Sequence, residues 1–87
     1  MKYPKGIKAV YDNGGISADR YTIVFKSLNH GRRYSYHDAV GAGSSPTVFY
    51  QHGEVLMGRH LGKKIDWLFL PKSIRNLINK ERIYYTK

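Results

Sequence analysis

The segment over residues 20–26, RYTIVFK, constrains the fold most, because almost all of it is β-branched or aromatic. Such side chains favour an extended backbone and pack well on a pleated surface. A two-residue period places Tyr21, Ile23 and Phe25 on one face, which predicts a strand over residues 20–26. A lone strand cannot bury an apolar face, so the rest of the chain must supply a sheet and a covering layer.

Three further stretches combine apolar residues with flanking turn residues, and we predict them as strands over residues 7–11, 33–37 and 47–52. In the first of them, Ile7, Ala9 and Tyr11 share one face. The turn-forming residues 29–31 predict that the second and third strands pair as a hairpin. The small residues over 39–46 predict a surface loop, and the glycines that follow the fourth strand predict another.

A helix is predicted over residues 71–82. Pro71 suits its first turn, where no backbone N–H is needed, and Ile74, Leu77 and Ile78 form one apolar side at i, i+3 and i+4. Four strands are therefore followed by one helix. This order predicts an α+β domain: a small, mainly antiparallel four-stranded sheet with one C-terminal helix packed on it.

The chain has 87 residues and no cysteine, so one packed core must stabilise a single domain over residues 1–87 without disulfides or thiolate metal sites. The absence of cysteine fits a reducing cytoplasm. The longest apolar stretch, residues 67–70, is far shorter than the roughly 20 residues of a membrane span, so we expect no membrane association. We expect the core to contain the apolar residues that share faces, namely Ile7, Tyr21, Ile23, Phe25, Val48, Trp67, Leu70, Ile74, Leu77 and Ile78.

Positive charge is concentrated in the C-terminal third of the chain. The net charge is +9, and residues 55–87 hold eight Lys or Arg against two acidic residues. A one-sided basic surface attracts anionic partners such as nucleic acid or an acidic protein surface. The alternative is ordinary solubilising charge. The candidate binding residues are Arg59, His60, Lys63, Lys64, Lys72, Arg75 and Arg82.

Tyrosines on the predicted third and fourth strands are a second candidate site. Tyr34, Tyr36 and Tyr50 could form a platform on which nucleic-acid bases stack. The alternative is that these rings are half-buried cross-strand pairs, which sheets use routinely. We favour this alternative, because no aromatic motif of an RNA-binding sheet is present.

The segment over residues 51–54, QHGE, places an imidazole and a carboxylate close together, so a small metal-dependent nuclease is a remote alternative. No His-x-x-x-His pair lies on the predicted helix, and the histidines are scattered. We therefore expect a turn at these residues, and no catalytic residue, metal site or cofactor.

Two features near the first turn are predicted to be structural. The DNGG segment over residues 12–15 has the residues of a tight turn and lacks the lysine and hydroxyl residue of a phosphate-binding loop. Asp19 and Arg20 are neighbours in sequence, and we expect them to form a local salt bridge that fixes this loop.

Several separated blocks resemble a pattern in short uncharacterised proteins of bacteriophages, prophages and bacteria. The blocks are YDNGG at 11–15, DRYT at 19–22, PxxFxQHGE at 46–54, HLGKKI at 60–65 and LP at 70–71, and they span most of residues 7–80. That family has no established activity. The resemblance implies a mobile-element origin, and small phage proteins often act by occupying a host machine, including defence complexes.

Together these observations predict a non-enzymatic, basic binding protein of phage type in the host cytoplasm, which engages nucleic acid or a nucleoprotein complex. The alternative partner is an acidic surface of a host protein or defence complex, as in anti-CRISPR-like inhibitors, where opposite charges steer association. The exposed edges of a small sheet allow either a monomer or a homodimer.

Overall fold

The computed structural model describes residues 2–26, 36–44, 50–56 and 58–81. One antiparallel sheet with strand order β4-β3-β2-β1-β5 is followed by a C-terminal helix, α1. The predicted α+β class is confirmed, but the sheet has five strands rather than four. The elements are β1 (Ile7–Asp12), β2 (Tyr21–Phe25), β3 (Tyr36–Ala42), β4 (Tyr50–Leu56), the 3-10 helix η1 (Arg59–Leu61), β5 (Lys63–Ile65), the 3-10 helix η2 (Trp67–Phe69) and α1 (Lys72–Glu81).

β2, the strand predicted over residues 20–26, is the central strand of the sheet. Every residue of β2 is buried. β1 pairs with one edge of β2 and β3 with the other, so that Ile23 lies opposite Val10 on β1 and opposite Val40 on β3. β-branched side chains therefore form a continuous row across three strands, which is the packing that favours such residues in sheets.

A β-bulge interrupts β1, so the predicted face shared by Ile7, Ala9 and Tyr11 is wrong. The pairing register with β2 shifts between Ile7 and Ala9. An extra residue in one strand turns the following side chains to the opposite face. As a result, Ile7 and Val10 both belong to the buried core cluster, although an even alternation would separate them.

β3 includes residues 39–42, which the sequence predicted to be a surface loop. Ala39 pairs with Val24, and Gly41 pairs with Thr22. Small side chains have weak strand propensity, but here β2 and β4 flank the segment and bond its backbone on both sides. The predicted hairpin partnership of the second and third strands is confirmed, while residues 33–35 lie outside the described residues.

Within the described residues, β4 extends beyond the predicted end at residue 52. It runs from Tyr50 to Leu56 and pairs with β3 along its whole length. The predicted turn at residues 51–54 is therefore wrong, because these residues form the middle of an edge strand. Residues 47–49, including the predicted core residue Val48, lie outside the described residues.

β5 was not predicted, because it has only three residues and follows several glycines. It pairs antiparallel with the end of β1, where Lys63 lies opposite Asp12. Gly62, just before β5, has φ of 89°, and a Cβ on it would lie 2.3 Å from the carbonyl oxygen of Asp12. The Tyr3 hydroxyl donates a hydrogen bond to the Ile65 carbonyl at 2.6 Å, and burial raises the pKa of this hydroxyl.

α1 covers one face of the sheet. Ile74 and Ile78 are fully buried in the same cluster as the central strand residues, whereas the prediction of Leu77 in the core is wrong, since Leu77 is only half-buried and lies outside the cluster. The Pro71 carbonyl accepts the first hydrogen bonds of the helix, from Ile74 and Arg75. The predicted helix is thus confirmed and begins at Lys72, one residue later than predicted, while residue 82 lies outside the described residues.

The core cluster confirms most of the expected core and adds small residues from the strands. The cluster consists of Ile7, Val10, Tyr21, Ile23, Phe25, Val40, Ala42, Trp67, Leu70, Ile74 and Ile78.

Within the described ranges, no helix is long and apolar enough to cross a membrane.

Phe25→Ala is expected to lower the free energy of unfolding by about 3–5 kcal/mol, because Phe25 is fully buried and its removal leaves a cavity. Phe69→Ala is the matched control, since the same atoms are removed from a ring that is 75% exposed. The control should change stability by less than about 0.5 kcal/mol. Urea denaturation measures both, and equal effects would contradict the assigned core.

Gly62→Ala is expected to destabilise the fold by about 2–6 kcal/mol. Its φ of 89° and ψ of −148° are essentially restricted to glycine, which costs other residues about 1–3 kcal/mol, and crowding against Asp12 adds about 1–3 kcal/mol. Gly53→Ala is the control, because a Cβ there has no neighbour within 4 Å. Thermal unfolding should separate the two variants, and an unchanged midpoint for Gly62→Ala would contradict the close approach of η1 to β1.

Candidate functional site

A depression of about 580 Å³ lies beside β5 and joins basic and aromatic residues from four parts of the chain. We call it the β5 depression. It combines side chains from the end of β1, the start of β2, β5 and η2. Its lining residues are Asp12, Arg20, Tyr21, Lys63, Lys64, Ile65, Asp66 and Phe69.

Lys63 and Lys64 are placed at the depression by the pairing of β5 with β1. β5 is an edge strand, and lysines on an edge discourage pairing with further strands. Among the residues that the structure describes, neither lysine has a carboxylate within ion-pair distance. The Lys64 ammonium lies 5.9 Å from the centre of the Tyr3 ring. Two cations are thus available to a ligand.

Arg20 is held in place by Asp12, not by Asp19 as predicted. The Arg20 Nε lies 3.0 Å from Asp12 Oδ1, and the Arg20 Nη2 lies 3.3 Å from Asp12 Oδ2. The β1–β2 pairing brings these residues together, since the Asn13 amide donates to the Arg20 carbonyl. Asp19 instead accepts a hydrogen bond from the Ser17 hydroxyl.

The Asp12–Arg20 pair fixes the orientation of the guanidinium group and lowers the pKa of the Asp12 carboxyl. The Arg20 guanidinium also lies 5.2 Å from the centre of the Tyr21 ring. Hydrogen bonds from Arg20, with a further one from the Gly14 amide, hold the pKa of Asp12 below its ordinary value of 3.8 against a smaller opposing effect of burial. Asp12 therefore remains ionised and keeps Arg20 at the rim of the depression.

The turn predicted at residues 12–15 is confirmed, and its amides are used internally. The Asp12 carboxylate accepts from the Gly14 amide at 2.7 Å, and the Asn13 side chain accepts from the Gly15 amide at 2.8 Å. Both glycines have positive φ. Because these N–H groups already have acceptors, they do not form a cradle for an anion.

η2 presents two apolar side chains to water. Leu68 is 72% exposed and Phe69 is 75% exposed, whereas the flanking Trp67 and Leu70 are buried. The Asp66 carboxylate accepts from the Leu68 amide at 3.3 Å, and the Leu70 amide donates to the Trp67 carbonyl at 3.1 Å. The exposed pair is therefore fixed on a hydrogen-bonded turn with both ends anchored in the core.

The other predicted basic residues are distributed around the molecule. Arg59 and Lys72 are exposed on η1 and at the start of α1. Arg75 is half-buried, and its Nε donates to the Leu70 carbonyl at 3.1 Å, so it contributes to the packing of the turn before α1. His60 lines a different depression, described below, and Arg82 lies outside the described residues.

The tyrosine platform is represented in the described structure only by Tyr50. Its ring packs against the core cluster and meets the His52 ring edge-on, with centroids 5.4 Å apart. Tyr50 is thus half-buried against the core as the alternative expects, but its aromatic contact is with a residue of the same strand, not across strands. Tyr34 lies outside the described residues, and so does the side chain of Tyr36.

A second depression, of about 300 Å³, runs along β4 and includes His52, Glu54 and His60 in its lining. The His52 Nε2 lies 2.6 Å from a carboxylate oxygen of Glu81, which links the edge strand to the end of α1. In the described part of the chain, no three His, Asp or Glu side chains are grouped closely enough to hold a metal ion.

Comparison with known proteins gives no relative: no family model, no curated protein and no solved structure matches this chain. The resemblance to short phage proteins remains a prediction from the sequence. Function must therefore be argued from the side chains of the β5 depression.

Acid should destabilise the parent protein through the Asp12–Arg20 pair. Because folding lowers the pKa of Asp12, this contribution is fully present above its unfolded pKa and is lost as pH falls through the lower folded pKa. Asp12→Asn should therefore flatten the stability curve between about pH 5 and about pH 1. Urea denaturation across this range measures it.

Arg20→Gln is the matched variant, because it removes the other partner. Since both substitutions break the same ion pair, the stability curve of the double variant in acid should be no flatter than that of Asp12→Asn alone. Additive effects of the two substitutions on the acid limb would contradict the assigned pairing.

Proposed function

We propose that this protein is a non-enzymatic binding protein of phage or mobile-element type that engages nucleic acid, or a nucleoprotein complex, in the host cytoplasm. The supporting observation is that Lys63 and Lys64 both line the β5 depression and have no carboxylate partner among the described residues. Arg20 lies at the same depression in a fixed orientation.

The electrostatics favour a polyanion over a neutral ligand. The chain has a net charge of +9. Three basic side chains and two carboxylates line the depression; Asp12 is paired with Arg20, and Asp66 accepts from the Leu68 amide, so the basic residues are in excess by one. Phosphates that meet unpaired ammonium groups release their condensed counterions, which gives affinity without sequence preference.

The residue types also suit a phosphate backbone. Lysine is a flexible point charge with three donors, so Lys63 and Lys64 can follow phosphates of varied geometry. Arg20 is less free, because Asp12 occupies two of its donor nitrogens. We therefore assign contact with phosphates to the lysines and the shaping of the depression to Arg20.

Labelled oligonucleotides in low salt test this proposal by fluorescence anisotropy. We expect micromolar or tighter binding, and a slope of log affinity against log salt of about −1.8 on duplex, for about two phosphates neutralised by the two lysines. Lys63→Glu/Lys64→Glu should remove most of the binding.

Lys8→Glu/Lys26→Glu is the control, because it makes the same change in net charge at the opposite end of the β1–β2 pair. The control should retain most of the affinity. Equal losses in the two double variants would show that only net charge matters, and absence of oligonucleotide binding in low salt would overturn the proposal.

The exposed pair Leu68 and Phe69 favours a second candidate, an inhibitor that binds an acidic host protein or defence complex. Exposed aromatic residues beside charged ones are typical of protein interfaces. Affinity capture from host lysate with and without nuclease separates the candidates, because a protein target survives removal of nucleic acid. A homodimer is compatible with either function.

A further inference from the structure

Phe69 is an aromatic ring that the fold leaves in water at the mouth of the basic site. It is 75% exposed and lines the β5 depression together with Lys63 and Lys64. Leu68 is similarly exposed at 72%, but it does not line the depression. Substitutions of Phe69 and of Leu68 can therefore separate the effect of a ring in the depression from the effect of an exposed apolar side chain outside it.

The backbone that presents Phe69 is fixed before any ligand binds. The Phe69 amide donates to the Asp66 carbonyl at 3.1 Å, and the Asp66 side chain caps the same turn. Trp67 and Leu70 anchor the turn in the core on either side. A ligand that covers the ring thus orders few additional groups, which reduces the entropic cost of binding.

The depression has room for one nucleotide unit. Its volume of about 580 Å³ lies within the range of small-ligand sites, about 300–1,000 Å³. Its lining residues include the exposed Phe69 and two lysines that have no carboxylate partner among the described residues. A nucleotide has the complementary pair of groups, an aromatic base and a phosphate.

The form of nucleic acid follows from this combination. In a duplex, bases stack on each other, so a ring beside phosphate-binding lysines would face only the backbone. In a single strand, an unstacked base can turn outward and stack on a protein ring. We propose that the β5 depression binds single-stranded nucleic acid, with Phe69 stacked on one base and Lys63 and Lys64 on adjacent phosphates. This inference rests on the proposed function and adds the form of nucleic acid.

The test compares three oligonucleotides of equal length: a single strand, its duplex, and a single strand of abasic sites that retains the phosphates. Phe69→Ala should weaken binding of the first by about 5- to 150-fold, the effect of losing one stacked base. Its binding to the duplex and to the abasic strand should change by less than about twofold. Phe69→Leu, which keeps an apolar side chain but no ring, should resemble Phe69→Ala.

Two control variants identify the cause of each effect. Leu68→Ala removes a neighbouring exposed apolar side chain outside the depression and should leave single-strand affinity within about twofold. Lys63→Gln/Lys64→Gln should weaken binding to all three oligonucleotides, because it removes phosphate contacts. Circular dichroism checks that each variant is folded.

The outcomes separate this inference from the function on which it rests. If Phe69→Ala binds the single strand as tightly as the parent while the lysine variant does not, stacking is wrong and the proposed function stands. Equal weakening on single strand and duplex also overturns stacking. If no oligonucleotide binds in low salt, both fail. If the parent captures a host protein from nuclease-treated lysate and Phe69→Ala does not, while oligonucleotide binding is unchanged, the ring belongs to a protein interface.

Discussion

Burial of β2 on both faces is the constraint on which the rest of the structure depends. All five of its residues are buried, and without a disulfide this packing must stabilise the chain. β2 aligns β1 and β3 beside it, and β1 in turn pairs with β5. The position of Lys63 and Lys64 therefore depends, through β1, on the central strand. The Asp12–Arg20 pair and the close approach of Gly62 reinforce the same end of β1.

The sequence predicted the elements whose signal is local. β2 has an unbroken β-branched and aromatic composition, and α1 has Ile74 and Ile78 at helical spacing, so both were found with small errors at their ends. β5 and the second half of β3 were missed for a physical reason. Gly41 has weak strand propensity of its own, and its extended backbone is stabilised by neighbours that are distant in sequence. The bulge in β1 likewise depends on pairing with β2.

The candidate site could be predicted only in part. Charge placement identified Lys63 and Lys64, which line the β5 depression. Arg20 was assigned to the wrong partner, since nearness in sequence suggested Asp19 whereas strand pairing supplies Asp12. Phe69 was missed because four consecutive apolar residues resemble a core segment; a 3-10 turn can bury only some of them, and here it buries the first and the last.

Binding of nucleic acid beside β5 can be tested by two-dimensional amide NMR spectra recorded during a titration with a short single strand. If the β5 depression is the binding site, the shifted amides cluster at β5, at Leu68 and Phe69, and at Tyr21, while the middle of β4 around Gly53 is unaffected. Shifts concentrated along β4, or no shifts at oligonucleotide concentrations well above micromolar, would contradict it.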